Sequence, residues 1–309
     1  MGAAGAAPAD ERTRLLGRGR RTGCPGPVNG PVRSCSRAGR FRSPTGSHTG
    51  RSQVRGRLVI GRSHALCGIL AGCGVAAVVP SAPWPVRILA VAVTGGAALL
   101  PDLDTPTSTA ARSLGPVTRL AARAVAASSL AVYHATRTDA DPADRRDGHR
   151  LATHTVPACL AAGAGVAVAA AAHPVGLVVV ASLLAGLLGL GVRLCGASLA
   201  VLGGVAGWWA ATQAPGWWWL YGAATTVGCL VHLAGDLVTK AGVPVWWPLQ
   251  RGGRRWAPVT TPATFRAGGA EETAIVTPLL GVAVVLAAGG VSGVLPVLWE
   301  AALVVAGGE

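Results

Sequence analysis

Residues 230–248 read LVHLAGDLVTKAGVPVWWP, and this stretch places two ionisable side chains at the end of an apolar run. His232 and Asp236 are four residues apart, so they share one face of a helix. A charged side chain in a membrane span costs roughly 2.5–3.5 kcal/mol at mid-membrane and less near the interface. The pair therefore predicts either a structural hydrogen bond or a functional site.

The composition around this stretch indicates an all-α, polytopic membrane protein. Of 309 residues, 51% are hydrophobic and 13% are charged, and Ala, Val, Leu and Gly form most of the apolar runs. Small residues allow transmembrane helices to pack closely. The net charge of +14 could suggest nucleic-acid binding, but 12 Arg precede residue 58 and most others lie in short loops, where they set orientation. We therefore predict a multi-pass membrane protein that contacts the lipid bilayer and no nucleic acid.

Two segments differ sharply in composition. Residues 1–57 are rich in Arg, Gly, Ser and Pro and lack apolar periodicity, which predicts disorder. Because Met1 is the only Met, we expect translation to begin near Val54 or Val59, so that this segment would be left out. Residues 58–309 form the predicted transmembrane domain.

Eight apolar runs in the second segment have near-spanning length. They cover residues 64–80, 86–100, 155–172, 175–192, 196–212, 217–235, 273–289 and 291–306. Residues 116–135 carry Arg119 and Arg123 beside an apolar face, which predicts a helix on the membrane surface. The Arg-rich loops place both termini in the cytoplasm.

Under this topology, seven ionisable residues fall at the cytoplasmic ends of their helices. They are His64, Asp102, Asp104, His149, His154, His232 and Asp236. Imidazole and carboxylate groups together suit Zn²⁺ or Mn²⁺. We expect Pro101 to end its helix and Thr153 to cap the next one, with His149 in the preceding loop. The sequence therefore predicts a divalent-metal site at one membrane face.

Other polar residues receive simpler interpretations. His134 is an outside candidate for the site, and His173 belongs to the opposite face. Asp139, Asp141, Asp144 and Asp147 alternate with Arg in a loop, where we expect them only to increase solubility. The seven Cys contain no CxxC pair, and most lie in apolar runs, where Cys behaves as a small hydrophobic residue.

The order of GRSHALCG, LLPDLDTP, HRLATHT and HLAGDLVTKAGVPVWWPL resembles the membrane-bound metal-dependent hydrolase family, whose bacterial members include an SOS-regulated inner-membrane protein. The resemblance covers about residues 61–250 and implies that the seven residues named above are metal ligands. This chain departs from the family pattern at Leu151, where Gly is usual, and at Thr155, which replaces a Ser. The arrangement is also similar to zinc-dependent phospholipase C, which implies phosphoester substrates.

These observations predict a membrane-embedded metal-dependent hydrolase, with zinc as the expected cation and a phospholipid or lipid-linked phosphate as substrate. One of Asp102 and Asp104 would bind the metal, and the other would support it or act as general base. Arg150 would offset the charge of a phosphate. The alternatives are an ion-coupled transporter that uses buried His and Asp, and a scaffold stabilised by the site. Transporters commonly contain internal repeats, which this sequence does not show.

Overall fold

The computed structural model describes residues 49–291, with side chains over residues 61–290. Within that range the chain forms helices and isolated β-bridges but no strands, which confirms the all-α prediction. The α-helices are α1 (Thr49–Ala77), α2 (Trp84–Ala97), α3 (Thr109–Arg112), α4 (Pro116–Thr136), α5 (Val156–Ala172), α6 (Pro174–Gly191), α7 (Gly196–Gln213), α8 (Trp218–Leu237) and α9 (Thr277–Val291). Short 3-10 helices cover Pro101–Asp104, Ala152–His154 and Pro215–Trp217, and a π-helical turn, Glu272–Val276, leads into α9.

Several of these helices coincide with predicted membrane spans. By length and composition, three helical stretches in the described range can cross a membrane: Trp84–Asp104, Pro174–Gly191 and Glu272–Gly290. The apolar helix α5 is shorter, and α1, α7 and α8 lie where three further spans were predicted. The predicted span 291–306 lies outside the described residues except for its first residue. The total of eight spans therefore stays a prediction.

The structure describes only the last nine residues of the amino-terminal segment 1–57. Residues 1–48 lie outside the described range, so the predicted disorder is not tested there. Helix α1 begins at Thr49 and therefore includes residues 49–57 of that segment.

Helix α2 is the central helix of the bundle and contacts α1, α6 and α8. Two glycines allow close approach at its carboxyl-terminal part. A side chain at Gly96 would meet the backbone of Leu184 in α6, and one at Gly228 in α8 would meet the Thr94 carbonyl of α2. Close packing of small residues is how helices associate in a bilayer. The ends of α2 and α8 are thereby held side by side.

The same end of the bundle includes parts of α1, α5 and α9. Helix α5 packs along α8 and begins where α8 ends, and α1 contacts both α8 and α9. Ser63 Oγ and Thr277 Oγ1 are 3.0 Å apart in a buried hydrogen bond that joins α1 to the start of α9. The helix ends that were predicted to share one membrane face are therefore adjacent.

Asp141 organises the loops at this end of the bundle. The prediction that it only increases solubility is wrong, because its side chain is buried. Its Oδ2 accepts hydrogen bonds from the backbone N–H groups of Thr138 and Arg255 and from the Thr138 hydroxyl, and its Oδ1 accepts one from the Trp256 N–H. Burial alone would raise the pKa of Asp141, but these hydrogen bonds outweigh it and lower that pKa.

We expect Gly228→Ala to destabilise the bundle by about 1–3 kcal/mol, because an added methyl group would press on α2 where the two helices touch. The measurement is thermal unfolding of the purified protein in detergent. Gly74→Ala is the matched control, since a side chain there would meet nothing within 4 Å. Equal losses in the two variants would contradict the packing described for α2 and α8.

Asp141→Asn should destabilise the loops by about 1–3 kcal/mol, because the charged acceptor of several hydrogen bonds is lost. The folded-state pKa lies below the ordinary value of about 3.9, so this stabilisation is present above roughly pH 4 and is lost as the pH falls further. Trp fluorescence during unfolding at several pH values measures it. Asp144→Asn, at an exposed position, should leave the unfolding midpoint unchanged.

Candidate metal centre

Three buried side chains direct nitrogen and oxygen atoms at one point between the ends of α5 and α8. The Nε2 atoms of His154 and His232 are 3.3 Å apart. Oδ2 of Asp236 lies 3.5 Å from the first nitrogen and 3.6 Å from the second. His232 and Asp236 share one face of α8, as their spacing predicted.

Asp102 approaches the same point from the 3-10 helix that follows α2. Its Oδ1 is 3.8 Å from Nε2 of His232 and 4.0 Å from Nε2 of His154. The Asp102 side chain is 19% exposed, whereas those of His154, His232 and Asp236 are at most 2% exposed. Asp102 is therefore at the accessible side of the cluster.

Hydrogen bonds at Nδ1 determine which ring nitrogens face the centre. Nδ1 of His232 is 2.8 Å from the Ala98 carbonyl oxygen, which can only accept, so this nitrogen carries the proton. Nδ1 of His154 lies 2.9 Å from the Thr153 hydroxyl oxygen and 3.3 Å from Oδ2 of Asp104. Because that hydroxyl donates its proton to Asp104, both oxygens act as acceptors toward Nδ1. When these rings are neutral, each Nε2 presents a lone pair toward the centre, as in metal sites where a partner fixes the tautomer.

Asp104 faces the outer nitrogens of the imidazoles and not the centre. It is buried, and its Oδ1 is 3.0 Å from Nδ1 of His149. Its Oδ2 accepts hydrogen bonds from the Thr153 hydroxyl at 2.6 Å and from the Arg150 backbone N–H at 3.2 Å. Of the two aspartates that the sequence left as alternatives, Asp102 is the one directed at the centre and Asp104 is the supporting carboxylate.

The two oxygens of Asp236 have different surroundings. Oδ1 accepts a hydrogen bond of 2.7 Å from the Arg150 guanidinium and lies 3.6 Å from Nε2 of His64. Oδ2 is buried and has no hydrogen-bond partner among the described residues. A buried carboxylate oxygen without a donor is costly. An ion between it and the facing imidazoles would satisfy it.

His64 joins the cluster from within α1, which begins at Thr49, and not from a helix end as the sequence predicted. Its ring stacks on that of His232, with centroids 4.0 Å apart and an angle of 24° between the planes. Two groups of three potential ligands result, and the ligand atoms within each group lie within 4.8 Å of one another. The groups are His64, His232 and Asp236, and Asp102, His149 and His154.

The separations between ligand atoms fit a tetrahedral ion. Zn²⁺ bonds of about 2.0–2.1 Å place tetrahedral ligand atoms about 3.3–3.4 Å apart. The three contacts among His154, His232 and Asp236 measure 3.3–3.6 Å. The two contacts of Asp102 are longer, at 3.8 and 4.0 Å. The residues present therefore fit a divalent cation held by three close ligands, with Asp102 facing the accessible position.

The segment 149–155 shapes the site and also corrects one prediction. Thr155, and not Thr153, caps α5: its hydroxyl accepts a hydrogen bond from the Ala158 N–H and donates one to the Ala152 carbonyl. Thr153 instead binds Asp104. Leu151, where the resembled family usually has Gly, has a negative φ of −113° and is buried. Leu151 therefore does not adopt the left-handed conformation that favours glycine, whereas Arg150 before it does, with a φ of 56°.

His149 is the most exposed imidazole of the cluster, with 39% of its side chain accessible. Its Nδ1 is 2.7 Å from the Thr105 hydroxyl and 3.0 Å from Asp104. Burial lowers the pKa of His149, but the hydrogen bond and the charge of Asp104 outweigh it and raise that pKa. Burial also has the largest effect on His154, and there it outweighs Asp104 and lowers the pKa, which favours the neutral, metal-binding form.

Arg150 joins the loop to α8. Besides Asp236, its guanidinium contacts the Thr239 hydroxyl at 2.8 Å and the Gly242 carbonyl at 3.4 Å. The direct role that the sequence predicted for Arg150 toward a phosphate stays a prediction. In the structure its visible contacts orient Asp236.

Sequence reasoning missed three groups that support the ligands. Thr153 donates a hydrogen bond to Asp104, and Thr239 accepts one from Arg150. The Ala98 carbonyl fixes the orientation of the His232 ring. The position of Thr153 next to His154 in sequence could have indicated that its hydroxyl supports the site. A backbone carbonyl has no signature in sequence, so its role emerges only from the packing of α2 on α8. His134, the outside candidate, is exposed, and its ring packs on Tyr133.

We expect Arg150→Met to destabilise the chelator-treated protein by about 3 kcal/mol, because it leaves Asp236 buried without its cation. Adding Asp236→Asn should recover part of that loss, since the two residues are coupled. Thermal unfolding in detergent measures both effects. The exposed Arg146→Met serves as control. Additive losses in the double variant would contradict the ion pair.

The fold and the cluster define a helical membrane protein with buried His and Asp residues gathered at one end of its helices. The chain belongs to the YdjM inner membrane protein family, whose model matches residues 59–295. No curated protein and no solved structure matches the chain. Family membership confirms the predicted family resemblance and the membrane location. The helices that can cross a membrane agree with a lipid bilayer as the protein's environment.

Proposed function

We propose that this protein is a membrane-embedded, metal-dependent hydrolase that acts on phosphoester or lipid-linked substrates. The observation that carries the proposal is the convergence of the two imidazole Nε2 atoms on the unpartnered Oδ2 of Asp236. A divalent cation bound there, zinc or manganese, would supply Lewis acidity for hydrolysis.

Each side chain then has a distinct role. His154, His232 and Asp236 would hold the ion, and His64 would complete the ligand set from α1. Asp102 lies at the accessible side, where a carboxylate can accept a proton from the attacking water. His149 belongs to the same ligand group as Asp102 and is exposed enough to give a proton to the leaving oxygen. Asp104 would position both His149 and His154.

The charge of the surroundings favours an anionic substrate. Several Arg residues occupy the loops at the site end of the bundle, among them Arg145, Arg146 and Arg150. Arg145 donates a hydrogen bond of 2.8 Å to the His149 carbonyl, so one guanidinium lies beside the most exposed imidazole of the cluster, and it also pairs with Asp147 at 3.3 Å. Positive potential of this kind raises the local concentration of phosphate-bearing ligands.

The transporter alternative has less support. A carrier normally places its ionisable residues near the middle of the membrane, at the junction of two repeated halves. Here the ligands come from the ends of α2 and α8 and the start of α5. This placement suits a reaction at the membrane face better than passage through the bundle.

The test combines metal content with catalysis. Purified wild-type protein should contain roughly stoichiometric zinc or manganese by elemental analysis and should hydrolyse bis(p-nitrophenyl) phosphate. His232→Ala should lose both the metal and the activity. Asp104→Asn should keep the metal site but weaken its affinity about 10- to 100-fold, as expected for a supporting carboxylate.

His134→Ala is the matched control, because His134 is an exposed histidine outside the cluster. It should retain metal and activity at wild-type levels. Equal metal content in wild type and His232→Ala would refute the proposed centre. Normal metal content without hydrolysis of any phosphodiester would refute the hydrolase assignment alone.

A further inference from the structure

An apolar groove lies beside the metal centre. Its volume is about 590 Å³, within the range of roughly 300–1,000 Å³ that is usual for ligand sites. Residues from the segment after α2 and from α3 to α7 line it. They include Leu100, Leu103, Leu114, Leu183, Leu187 and Ala197.

The groove begins next to the proposed reaction site. Leu100 and Leu103 lie on its wall, and Asp102 lies between them in sequence. Along α6 the wall extends from Val180 to Leu190, which is about 15 Å at 1.5 Å per residue. The groove is therefore elongated, and the segment that carries Asp102 forms part of its wall through Leu100 and Leu103.

The residues that line the groove favour an apolar ligand that enters through its open side. Leu114, Leu183 and Leu190 are 54%, 47% and 37% exposed, so the groove is open along its length. One of its few polar groups, the Ser113 hydroxyl, already donates to the Ala110 carbonyl. A groove of this kind in an inner-membrane protein faces lipid chains.

We propose that the groove binds one alkyl chain of the substrate while the phosphate-bearing head lies at the metal centre. The proposal rests on the proposed function and narrows the substrate class to amphiphiles that join a phosphate to a long alkyl or acyl chain. Each methylene group that enters the groove adds to affinity, as in other lipid-binding sites. The groove would also fix the depth of the head group, because Leu100 and Leu103 on its wall flank Asp102 in sequence.

The test uses binding and not turnover. Chelator-treated full-length protein in lipid nanodiscs is incubated with dodecyl phosphate that carries a diazirine at the chain end, irradiated and mapped by peptide mass spectrometry. Labelling should concentrate on the groove-facing residues of α6 and α7. Ala197→Trp should reduce it about tenfold, as expected when roughly two methylene groups lose their burial.

Ala161→Trp is the matched control, since Ala161 is an exposed alanine on an apolar helix outside the groove. A second pair protects the test against misfolding. Leu183→Asn should reduce labelling, and Leu202→Asn, at an exposed position outside the groove, should not. Dodecanol should compete with the probe, and inorganic phosphate should not.

Two outcomes would overturn the chain site. One is labelling spread evenly over the exposed faces of α5, α7 and α9, which indicates only surrounding lipid. The other is unchanged labelling in Ala197→Trp and Leu183→Asn. Because the protein carries no metal in this assay, absence of groove labelling in the wild-type protein refutes the chain site alone. Groove labelling together with failure of the metal and hydrolysis test refutes the hydrolase assignment alone.

Discussion

Two hydrogen bonds at imidazole Nδ1 atoms determine what this cluster can do. The Ala98 carbonyl and the Asp104 carboxylate can only accept, so the Nδ1 atoms beside them carry protons, and in the neutral rings the Nε2 atoms of His232 and His154 present lone pairs to each other and to Asp236. Two facing lone pairs beside a carboxylate repel one another unless a cation lies between them. The cluster is therefore arranged as a ligand set, and its supporting bonds are as important as the ligands.

Helix packing maintains that arrangement. The Ala98 carbonyl reaches His232 only because α2 and α8 approach closely at Gly228. Arg150 joins the loop before α5 to the end of α8 through Asp236, and Asp104 joins the end of α2 to the same loop. Three segments that are distant in sequence are thus connected by buried polar contacts. Such contacts are expensive to leave unsatisfied inside a membrane protein, which explains why so few polar residues occur elsewhere in its spans.

The sequence predicted the helical class, the approximate helix positions and the convergence of the seven ionisable residues. Hydropathy and Arg distribution were sufficient for this, because both follow from the bilayer's physical constraints. The sequence could not show which of Asp102 and Asp104 faces the centre. The two residues are separated by Leu103 in a 3-10 helix, and this spacing directs the Asp104 carboxylate away from the centre, toward the outer nitrogens of the imidazoles. It also assigned the α5 cap to Thr153 and treated Asp141 as a surface charge. Both errors concern local hydrogen bonds made by loops, whose geometry depends on tertiary contacts that no local pattern encodes.

X-ray absorption spectroscopy at the metal edge tests the central claim most directly. We predict a coordination shell of nitrogen and oxygen atoms only, at about 2.0–2.2 Å, with the multiple-scattering signature of at least two imidazoles. A sulfur shell at about 2.3 Å would instead indicate thiolate ligands and would contradict the His and Asp centre. Protein that binds no divalent metal at all would contradict it equally.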